Sequence, residues 1–218
     1  MRVLITGANR GIGLEFARQL TARGDDVVVT CRSSSPELDA LGVQIIEGID
    51  VGVDDSAARL ADAIDGPPLD LLINNAGILV ADSLEDLDWD ALRRQFEVNS
   101  LGPLRVTRAL RSHLRDGAKV AIVTSLMGSM ADNGSGGYYG YRMSKAAVNM
   151  AGVSLARDLA SREIPVVLLH PGMVATEMTG GRGIDVDASV KGLLARLDAL
   201  TMDDTGTFWH TDGRRLEW

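Results

Sequence analysis

The feature that most constrains the fold of this chain is a glycine-rich turn near its start. Arg2–Thr6 is a short apolar run of strand type, the turn reads Gly-Ala-Asn-Arg-Gly-Ile-Gly over residues 7–13, and Leu14–Arg23 has a helical pattern. Strand, glycine turn and helix together form the dinucleotide-binding arrangement, in which the glycines let the backbone approach a pyrophosphate at the helix N-terminus. The spacing G-x-x-x-G-x-G differs from the usual G-x-G-x-x-G, so the turn alone is a weak signal.

Strand and helix patterns then alternate along the whole chain. Further strands are predicted at Val27–Thr30, Val43–Glu47, Leu69–Ile73, Lys119–Thr124, Ile164–Leu169 and, at an edge, Thr205–Trp209. Helices are predicted at Val53–Ile64, Trp89–Leu114 with an interruption near Asn99–Pro103, Tyr141–Leu159 and Val186–Leu200. This alternation predicts an α/β fold, a Rossmann-type doubly wound parallel sheet of about seven strands with helices on both faces.

Composition limits the domain count and the classes of partner. With 218 residues, 45% of them apolar, the chain can bury one core, so we expect a single domain over residues 1–218. The formal net charge of −8 disfavours nucleic acid and anionic membranes, and no apolar run is long enough to span a bilayer. The single cysteine, Cys31, can form no internal disulfide and leaves no zinc-ligand set, so we expect no metal and a cytoplasmic location.

The end of the second predicted strand bears on the type of cofactor. An NAD site would place Asp or Glu there, about 20 residues after the glycines, but the chain has Thr30, Cys31 and Arg32. A guanidinium suits the 2′-phosphate of NADP, and Arg10 in the glycine turn offers a second positive charge. Either arginine could instead be an ordinary surface residue, yet their joint presence without a carboxylate favours NADP(H).

The predicted helix that begins near Tyr141 carries the candidate chemistry. Tyr141 and Lys145 are four residues apart and therefore share a helix face, where the ammonium is expected to lower the pKa of the phenol. Such a phenol can act as a general acid or base, although this spacing also arises by chance on many helices. Ser125 lies at the carboxyl end of a strand, where ligands bind in open α/β sheets, and the flexible loop 133–137 can bring it back to this helix.

The motifs, taken in order, resemble those of the short-chain dehydrogenase/reductase superfamily from end to end. The matching elements are Thr6-Gly7-x3-Gly11-Ile12-Gly13, Asn74-Asn75-Ala76-Gly77, Asn99, Ser125, Tyr141-x3-Lys145 and Pro171-Gly172. The closer match is to the carbonyl-reductase-type branch that includes the sniffer and bacterial C-factor proteins. It is carried by Thr124-Ser125-x2-Gly128-Ser129, Gly136-Gly137, Tyr141-Arg142-x-Ser144-Lys145-Ala146-Ala147 and the tail from Gly206 to Trp218.

The resemblance implies a set of catalytic roles. Tyr141 would protonate the carbonyl oxygen of a ketone or aldehyde while hydride arrives from NADPH, and Ser125 would polarise that oxygen. Lys145 would hold the nicotinamide ribose and depress the Tyr141 pKa, and Asn99 would hold a water molecule that completes the proton relay.

The resemblance also implies where the cofactor binds. Gly7, Asn9, Arg10, Gly11, Ile12 and Gly13 would cradle the phosphates, and Arg32 would face the 2′-phosphate. Asp50 and Val51 would flank adenine, while Asn75, Ala76 and Gly77 would line the adenosine side. The segment Pro171–Thr176, including Gly172, Val174 and Thr176, would cover the nicotinamide end, and residues 177–190 suit a mobile lid over a substrate.

Other functions and the assembly stay open at this point. One alternative is a non-catalytic NADP-binding signalling protein of the C-factor type, which would have no need of the four catalytic residues. Oxidation of an alcohol with NAD is another, which Arg10 and Arg32 disfavour. Relatives pair through the two long helices, so we expect a homodimer or homotetramer, and a monomer is not excluded.

Overall fold

The computed structural model describes all residues, 1–218, and is built on one central β-sheet. Its seven strands are all parallel and lie in the order β3-β2-β1-β4-β5-β6-β7. The strands are β1 Arg2–Thr6, β2 Asp26–Thr30, β3 Gln44–Ile46, β4 Leu69–Asn74, β5 Leu114–Val123, β6 Val166–His170 and β7 Thr207–His210. The predicted doubly wound parallel sheet is confirmed, with β7 at one edge as expected.

Helices cover both faces of the sheet. They are α1 Gly11–Ala22, α2 Pro36–Asp39, α3 Asp54–Ala63, α4 Trp89–Phe96, α5 Gly102–Ala109, α6 Tyr139–Asp158 and α7 Val186–Ala199. Alternate residues of a strand point to opposite faces, so Val3 and Ile5 of β1 join a core cluster with α1 and α7. Leu4 faces the other way and joins a second cluster of equal size with α3, α5 and α6. Each face therefore has its own apolar layer of 21 buried residues.

The long helix predicted over Trp89–Leu114 is three elements. α4 is followed by a π-helical turn, Glu97–Leu101, and then by α5, so the expected interruption is present. The predicted end of that helix is wrong, because α5 ends at Ala109 and Leu114 is the first residue of β5. Leu114 is paired with Leu69 of β4 and is 1% exposed, so its apolar side chain is buried as part of the sheet and not of a helix.

A short helix, α2, was not predicted. Ser35 precedes it, and its hydroxyl accepts a hydrogen bond from the amide of Leu38 at 3.2 Å, while Pro36 occupies the first helical position. A serine N-cap followed by proline is a helix-start signal. A helix of only four residues, however, is too short to show helical periodicity in its apolar residues.

The strand order creates the crevice in which a ligand can lie. β1 pairs with β2 on one side and with β4 on the other, so the connections after β1 and β4 leave in opposite directions. Open α/β sheets bind ligands at such a switch point, beyond the carboxyl ends of the strands.

Candidate active site

A cleft of about 940 Å³ lies beyond the carboxyl ends of the strands. Its volume is at the upper end of the range of about 300–1,000 Å³ that is typical of ligand sites. All residues predicted to bind the cofactor line it, together with three of the four predicted catalytic residues. They are Gly7, Asn9, Arg10, Gly11, Ile12, Gly13, Arg32, Asp50, Val51, Asn75, Ala76, Gly77, Ser125, Tyr141, Lys145, Pro171, Gly172, Val174 and Thr176.

The glycine turn between β1 and α1 is closed by contacts that only glycine allows. Gly7 has φ +66°, and a Cβ on it would lie 2.8 Å from the Cα of Ala76. A Cβ on Gly13 would lie 2.4 Å from the carbonyl oxygen of Gly7. The turn is thereby packed tightly against the end of β4.

The N-terminus of α1 is suited to a phosphate. No side chain caps this 12-residue helix, and its first turn contains no acidic residue. The first amides of a helix lack intrahelical partners and carry the positive end of the helix dipole. A pyrophosphate would supply the missing acceptors, so the residues here fit a dinucleotide.

Asn75 braces the glycine turn from the end of β4. Its side-chain Nδ2 donates to the carbonyl oxygens of Thr6 at 2.9 Å and Gly7 at 3.0 Å. The Thr6 hydroxyl in return accepts from the amides of Asn75 and Ala76 at 3.0 and 3.1 Å. Each side chain thus bonds to the backbone at the end of the neighbouring strand.

The two arginines predicted to favour NADP differ in their surroundings. Arg32 is exposed at the rim of the cleft, just beyond β2, and forms no ion pair. Arg10 forms an ion pair with Glu177, which lies in the segment after β6. Arg32 is therefore the free guanidinium of the pair, and the charge of Arg10 is partly balanced within the protein.

Asp50 and Val51 lie on the loop after β3. Val51 is buried, whereas the Asp50 carboxylate accepts from Nη2 of Arg94 at 2.5 Å. Arg94 also donates to the carbonyl oxygen of Gly52 at 3.4 Å, so α4 holds the loop where adenine is expected. This contact was not predicted, because nothing local in the sequence relates Arg94 to a residue 44 positions earlier.

Tyr141, Ser125 and Lys145, three of the four residues predicted to be catalytic, meet at one end of the cleft. Ser125 follows β5, and its Oγ accepts from the amide of Met127 at 3.1 Å, which leaves its proton free to donate. The Lys145 ammonium lies 5.6 Å from the centre of the Tyr141 ring and donates to the carbonyl oxygen of Val123 at 3.0 Å. The three side chains are at most 8% exposed.

Burial governs the protonation of this group. It raises the pKa of Tyr141 to about 12, and the nearby Ser125 hydroxyl acts in the lowering direction. Burial lowers the pKa of Lys145 to about 8. The expected lowering of the Tyr141 pKa by Lys145 is not seen here, because desolvation of the phenol outweighs the neighbouring groups. Tyr141 consequently keeps its proton at neutral pH, the state that a proton donor requires.

Asn99 sits behind the cleft in the π-helical turn. Its Nδ2 donates to the carbonyl oxygen of Ile78 at 2.9 Å and to Oγ of Ser144 at 3.0 Å, and its Oδ1 accepts from the Ile78 amide at 2.8 Å. A Cβ on Gly77 would lie 3.3 Å from Oδ1 of Asn99 and 3.6 Å from Nζ of Lys145. The missing side chain of Gly77 leaves a small polar space between these two groups.

The segment after β6 forms the other wall of this end. Gly172 has φ +82°, and Val174 forms a short bridge with Ile184, whose amide donates to the carbonyl oxygen of Met173 at 2.8 Å. A one-turn helix, Glu177–Thr179, follows. The predicted lid over residues 177–190 thus includes this turn and the bridge, and its last residues form the first turn of α7.

His170 ends β6 beside this segment. Its ring lies 5.1 Å from that of His210, and burial, with help from His210, lowers its pKa to about 4. The imidazole is therefore neutral at physiological pH and packs against the ring of His210.

Asp82 is a contributor that sequence reasoning missed. It lies in the loop after β4, and its carboxylate accepts from the amides of Tyr139 and Gly140 at the start of α6. Tyr138, which precedes the helix with φ +52°, offers no side-chain cap of its own. The lack of Ser, Thr, Asp or Asn at that position was the one available signal that a distant residue caps the helix.

No helix of the protein is long and apolar enough to cross a membrane.

Comparison with known proteins gives a consistent result. A family described as short chain dehydrogenase matches residues 1–186. The 1-hydroxy-2-glutathionyl-2-methyl-3-butene dehydrogenase of Rhodococcus sp. (strain AD45) is 44% identical over 225 residues, which cover 99% of both chains. The C-signal protein of Myxococcus xanthus is 47% identical over 156 residues, covering 69% of this chain and 93% of its own.

Solved structures with the same fold include carbonyl reductases. The carbonyl reductase Sniffer of D. melanogaster has a TM-score of 0.92 and 30% identity, with 100% of this chain and 99% of that chain covered. An NADPH-bound carbonyl reductase from chicken fatty liver has a TM-score of 0.90 and 31% identity, with 100% and 98% covered.

Proposed function

Because the chain belongs to the short-chain dehydrogenase family, a family of oxidoreductases that bind nicotinamide cofactors, we propose that it reduces a ketone or aldehyde to an alcohol with NADPH. The observation that carries this proposal is the buried group of Tyr141, Ser125 and Lys145 at one end of a cleft whose other end is the glycine turn. One end suits proton donation to a carbonyl oxygen, and the other suits a dinucleotide.

In the proposed reaction the bound nicotinamide supplies hydride, which is the cofactor's own chemistry. Tyr141 donates its phenolic proton to the carbonyl oxygen as negative charge develops there. The free hydroxyl proton of Ser125 hydrogen-bonds to the same oxygen and stabilises that charge. One N–H of the Lys145 ammonium donates a hydrogen bond to the carbonyl oxygen of Val123. The other two are available to hydrogen-bond to the ribose hydroxyls and to a water molecule near Asn99.

The populated protonation states are those that carbonyl reduction requires. With a pKa of about 12, Tyr141 is protonated at neutral pH, so it carries the proton that the carbonyl oxygen would receive. Lys145, with a pKa of about 8, is mostly charged there and can reload the tyrosine with a proton. Alcohol oxidation requires the reverse transfer, in which the tyrosinate accepts a proton.

The proposed preference for NADP(H) over NAD(H) rests on Arg32. It is exposed, lines the cleft beside the end of β2 and has no carboxylate partner, so it is free to bind a 2′-phosphate. The bound NADPH of the carbonyl reductase from chicken fatty liver, a structure with the same fold, supports this choice.

Oxidation of an alcohol is a second candidate. It is supported by the Rhodococcus relative, which is described as the dehydrogenase of a hydroxy compound. That relative is 44% identical, with 99% of both chains covered. The C-signal relative supports a third, the non-catalytic signalling role, against which the intact set of Asn99, Ser125, Tyr141 and Lys145 argues.

We also propose a cytoplasmic location and a homodimer or homotetramer. The single cysteine, Cys31, is a buried free thiol, which suits a reducing compartment. The exposed side chains of Trp89, Leu104 and Met150 lie on α4, α5 and α6, the helices through which pairing is expected.

The test is a fluorescence titration with NADPH and NADH, followed in the same cuvette by oxidation of NADPH with diketones, quinones and aldehydes. We expect tight binding selective for NADPH, and turnover. Tight binding without turnover on any compound, together with NAD⁺-dependent oxidation of alcohols, would favour the second candidate. Tight binding with neither reaction would favour the signalling role.

A further inference from the structure

Three methionines line the end of the cleft beyond β5 and β6, from the segments that follow these two strands. Met127 lies in the one-turn helix after Ser125, and Met173 and Met178 lie in the segment after β6. β5 and β6 are neighbours in the sheet, so these segments leave adjacent strand ends. Met173 and Met178 are 62% and 48% exposed.

These exposed thioethers do not serve the core. Neither Met173 nor Met178 belongs to the two buried clusters of the sheet faces. Methionine is unbranched and polarizable, and it adapts to apolar surfaces of irregular shape. Exposed apolar groups that continue a catalytic cleft therefore have the character of a binding surface.

Charge at this end argues against an anionic substrate. Among the lining residues, the one charged side chain in the segments after β5 is Asp132, and the one in the segment after β6 is Glu177. Both are carboxylates, and Lys145 is directed to the reaction itself. A small oxo acid requires a cation such as a bidentate arginine. Of the lining arginines, Arg32 follows β2, Arg94 is paired with Asp50 and Arg10 is paired with Glu177.

We propose that Met127, Met173 and Met178 form a methionine clamp that holds the apolar body of a bulky, uncharged carbonyl compound. This inference rests on the proposed function and names its substrate class: aliphatic or aromatic ketones and aldehydes of more than a few carbons. The carbonyl group lies at Tyr141 and Ser125, and the apolar body lies between the two methionine-bearing segments.

Kinetics with a homologous series of methyl ketones, from 2-butanone to 2-decanone, test the clamp. Each buried methylene contributes about 0.8 kcal/mol, so kcat/KM is expected to rise about three- to fourfold per methylene until the clamp is filled. Met173→Gln and Met178→Gln should flatten this slope. In Met178→Gln, which lies outside the segment expected to cover the nicotinamide, the Kd of NADPH should stay within twofold. Met173→Leu should keep the slope, and Met130→Gln, at an exposed site that does not line the cleft, is the matched control. Pyruvate, a small oxo acid, should be a poor substrate.

A footprint independent of turnover separates failure of the clamp from failure of the reaction. The NADP⁺-loaded protein is treated with dilute hydrogen peroxide, with and without 2-decanone, and the methionine sulfoxides are mapped by mass spectrometry. The ketone should protect Met173 and Met178 but not Met130, which is exposed and does not line the cleft. If no ketone is turned over yet protection is selective, the clamp stands and the proposed reaction falls. If the footprint shows no selective protection, or if ketones are turned over with no dependence on chain length, the clamp is refuted.

Discussion

The Asp82 carboxylate accepts a hydrogen bond from the backbone amide of Gly140 at 2.9 Å, across 58 residues of sequence. It accepts a second from the amide of Tyr139, and the Asp82 carbonyl oxygen accepts a third from the amide of Tyr138 at 3.0 Å. The loop after β4 therefore caps the helix that carries Tyr141 and Lys145. An N-cap supplied from a distant loop fixes both the start and the position of α6.

Asp82→Ala should lower both stability and turnover. Loss of an N-cap costs about 0.5–2 kcal/mol, and α6 should fray at the end that holds Tyr141. We expect kcat to fall several-fold with little change in the Kd of NADPH, measured by denaturant unfolding and steady-state kinetics. Asp82→Asn keeps an acceptor oxygen and should recover most of both losses.

Asp88 provides a matched control, because its carboxylate caps α4 from the adjacent residue, away from the reacting groups. Asp88→Ala should cost similar stability but leave kcat near that of the wild type. Equal losses of kcat in the two variants would show that Asp82 acts only through global stability.

Arg32→Ala should weaken NADPH far more than NADH. A charge-assisted hydrogen bond contributes about 1.5–3 kcal/mol, so the Kd of NADPH should rise about 10- to 100-fold. The Kd of NADH, which has no 2′-phosphate, should change by less than about threefold. Equal loss of affinity for both cofactors, measured by fluorescence titration, would refute the assignment of Arg32.

Glu177→Gln should tighten NADPH binding, because it releases Arg10 from its ion pair. Both side chains are more than half exposed, so the gain should be small, about two- to fivefold in Kd. The gain should shrink as salt is added. Glu217→Gln, which removes an exposed carboxylate in the tail, is the control for net charge and should leave Kd unchanged. Weaker NADPH binding in Glu177→Gln would mean that the ion pair positions Arg10 for the cofactor instead of competing for it.

The lowered pKa of His170 predicts that the free energy of unfolding falls in mild acid. Burial lowers its pKa from 6.5 to about 4, with smaller effects in the same direction from His210, Arg214 and Lys145 and an opposing one from Asp212. Below pH 6.5 the unfolded chain binds a proton that the folded protein refuses until about pH 4. The contribution of neutral His170 to the free energy of unfolding is thus fully present above pH 6.5. It is lost as the pH falls toward 4, and the loss is on the order of 2–3 kcal/mol.

The check is urea unfolding of the wild type and of His170→Gln between pH 7.5 and 4.5. The variant should be less sensitive to acid over this range, whatever its stability at pH 7.5. Parallel pH profiles for the two proteins would contradict the assignment to His170.

Much of the fold was predictable because it rests on local patterns. The strand, glycine turn and helix at residues 2–23 and the buried strand at Leu69 can be identified without distant information, and the superfamily resemblance is confirmed. The end of the helix before β5 was not predictable, since the apolar residues Leu110 and Leu114 suit either a helix or a strand. Only the pairing of Leu114 with Leu69 decides between them.

The candidate site likewise contains some residues that local patterns predict and others that only distant contacts reveal. Residues carried by motifs, such as Ser125, Tyr141 and Lys145, could be predicted from their spacing, and they lie together in the cleft. The supports given by Asp82 and Arg94 were missed, because each contacts a residue more than 40 positions away. The protonation of Tyr141 also required the structure, since desolvation depends on every atom packed around the phenol.

The central claim, that Tyr141 donates the proton to a carbonyl oxygen, is tested most directly by Tyr141→Phe. The ring and its packing remain, so the Kd of NADPH should stay within about twofold of the wild type. Loss of the proton donor should lower kcat for NADPH-dependent ketone reduction by at least about 100-fold. Unchanged turnover of a good substrate by Tyr141→Phe would contradict the account.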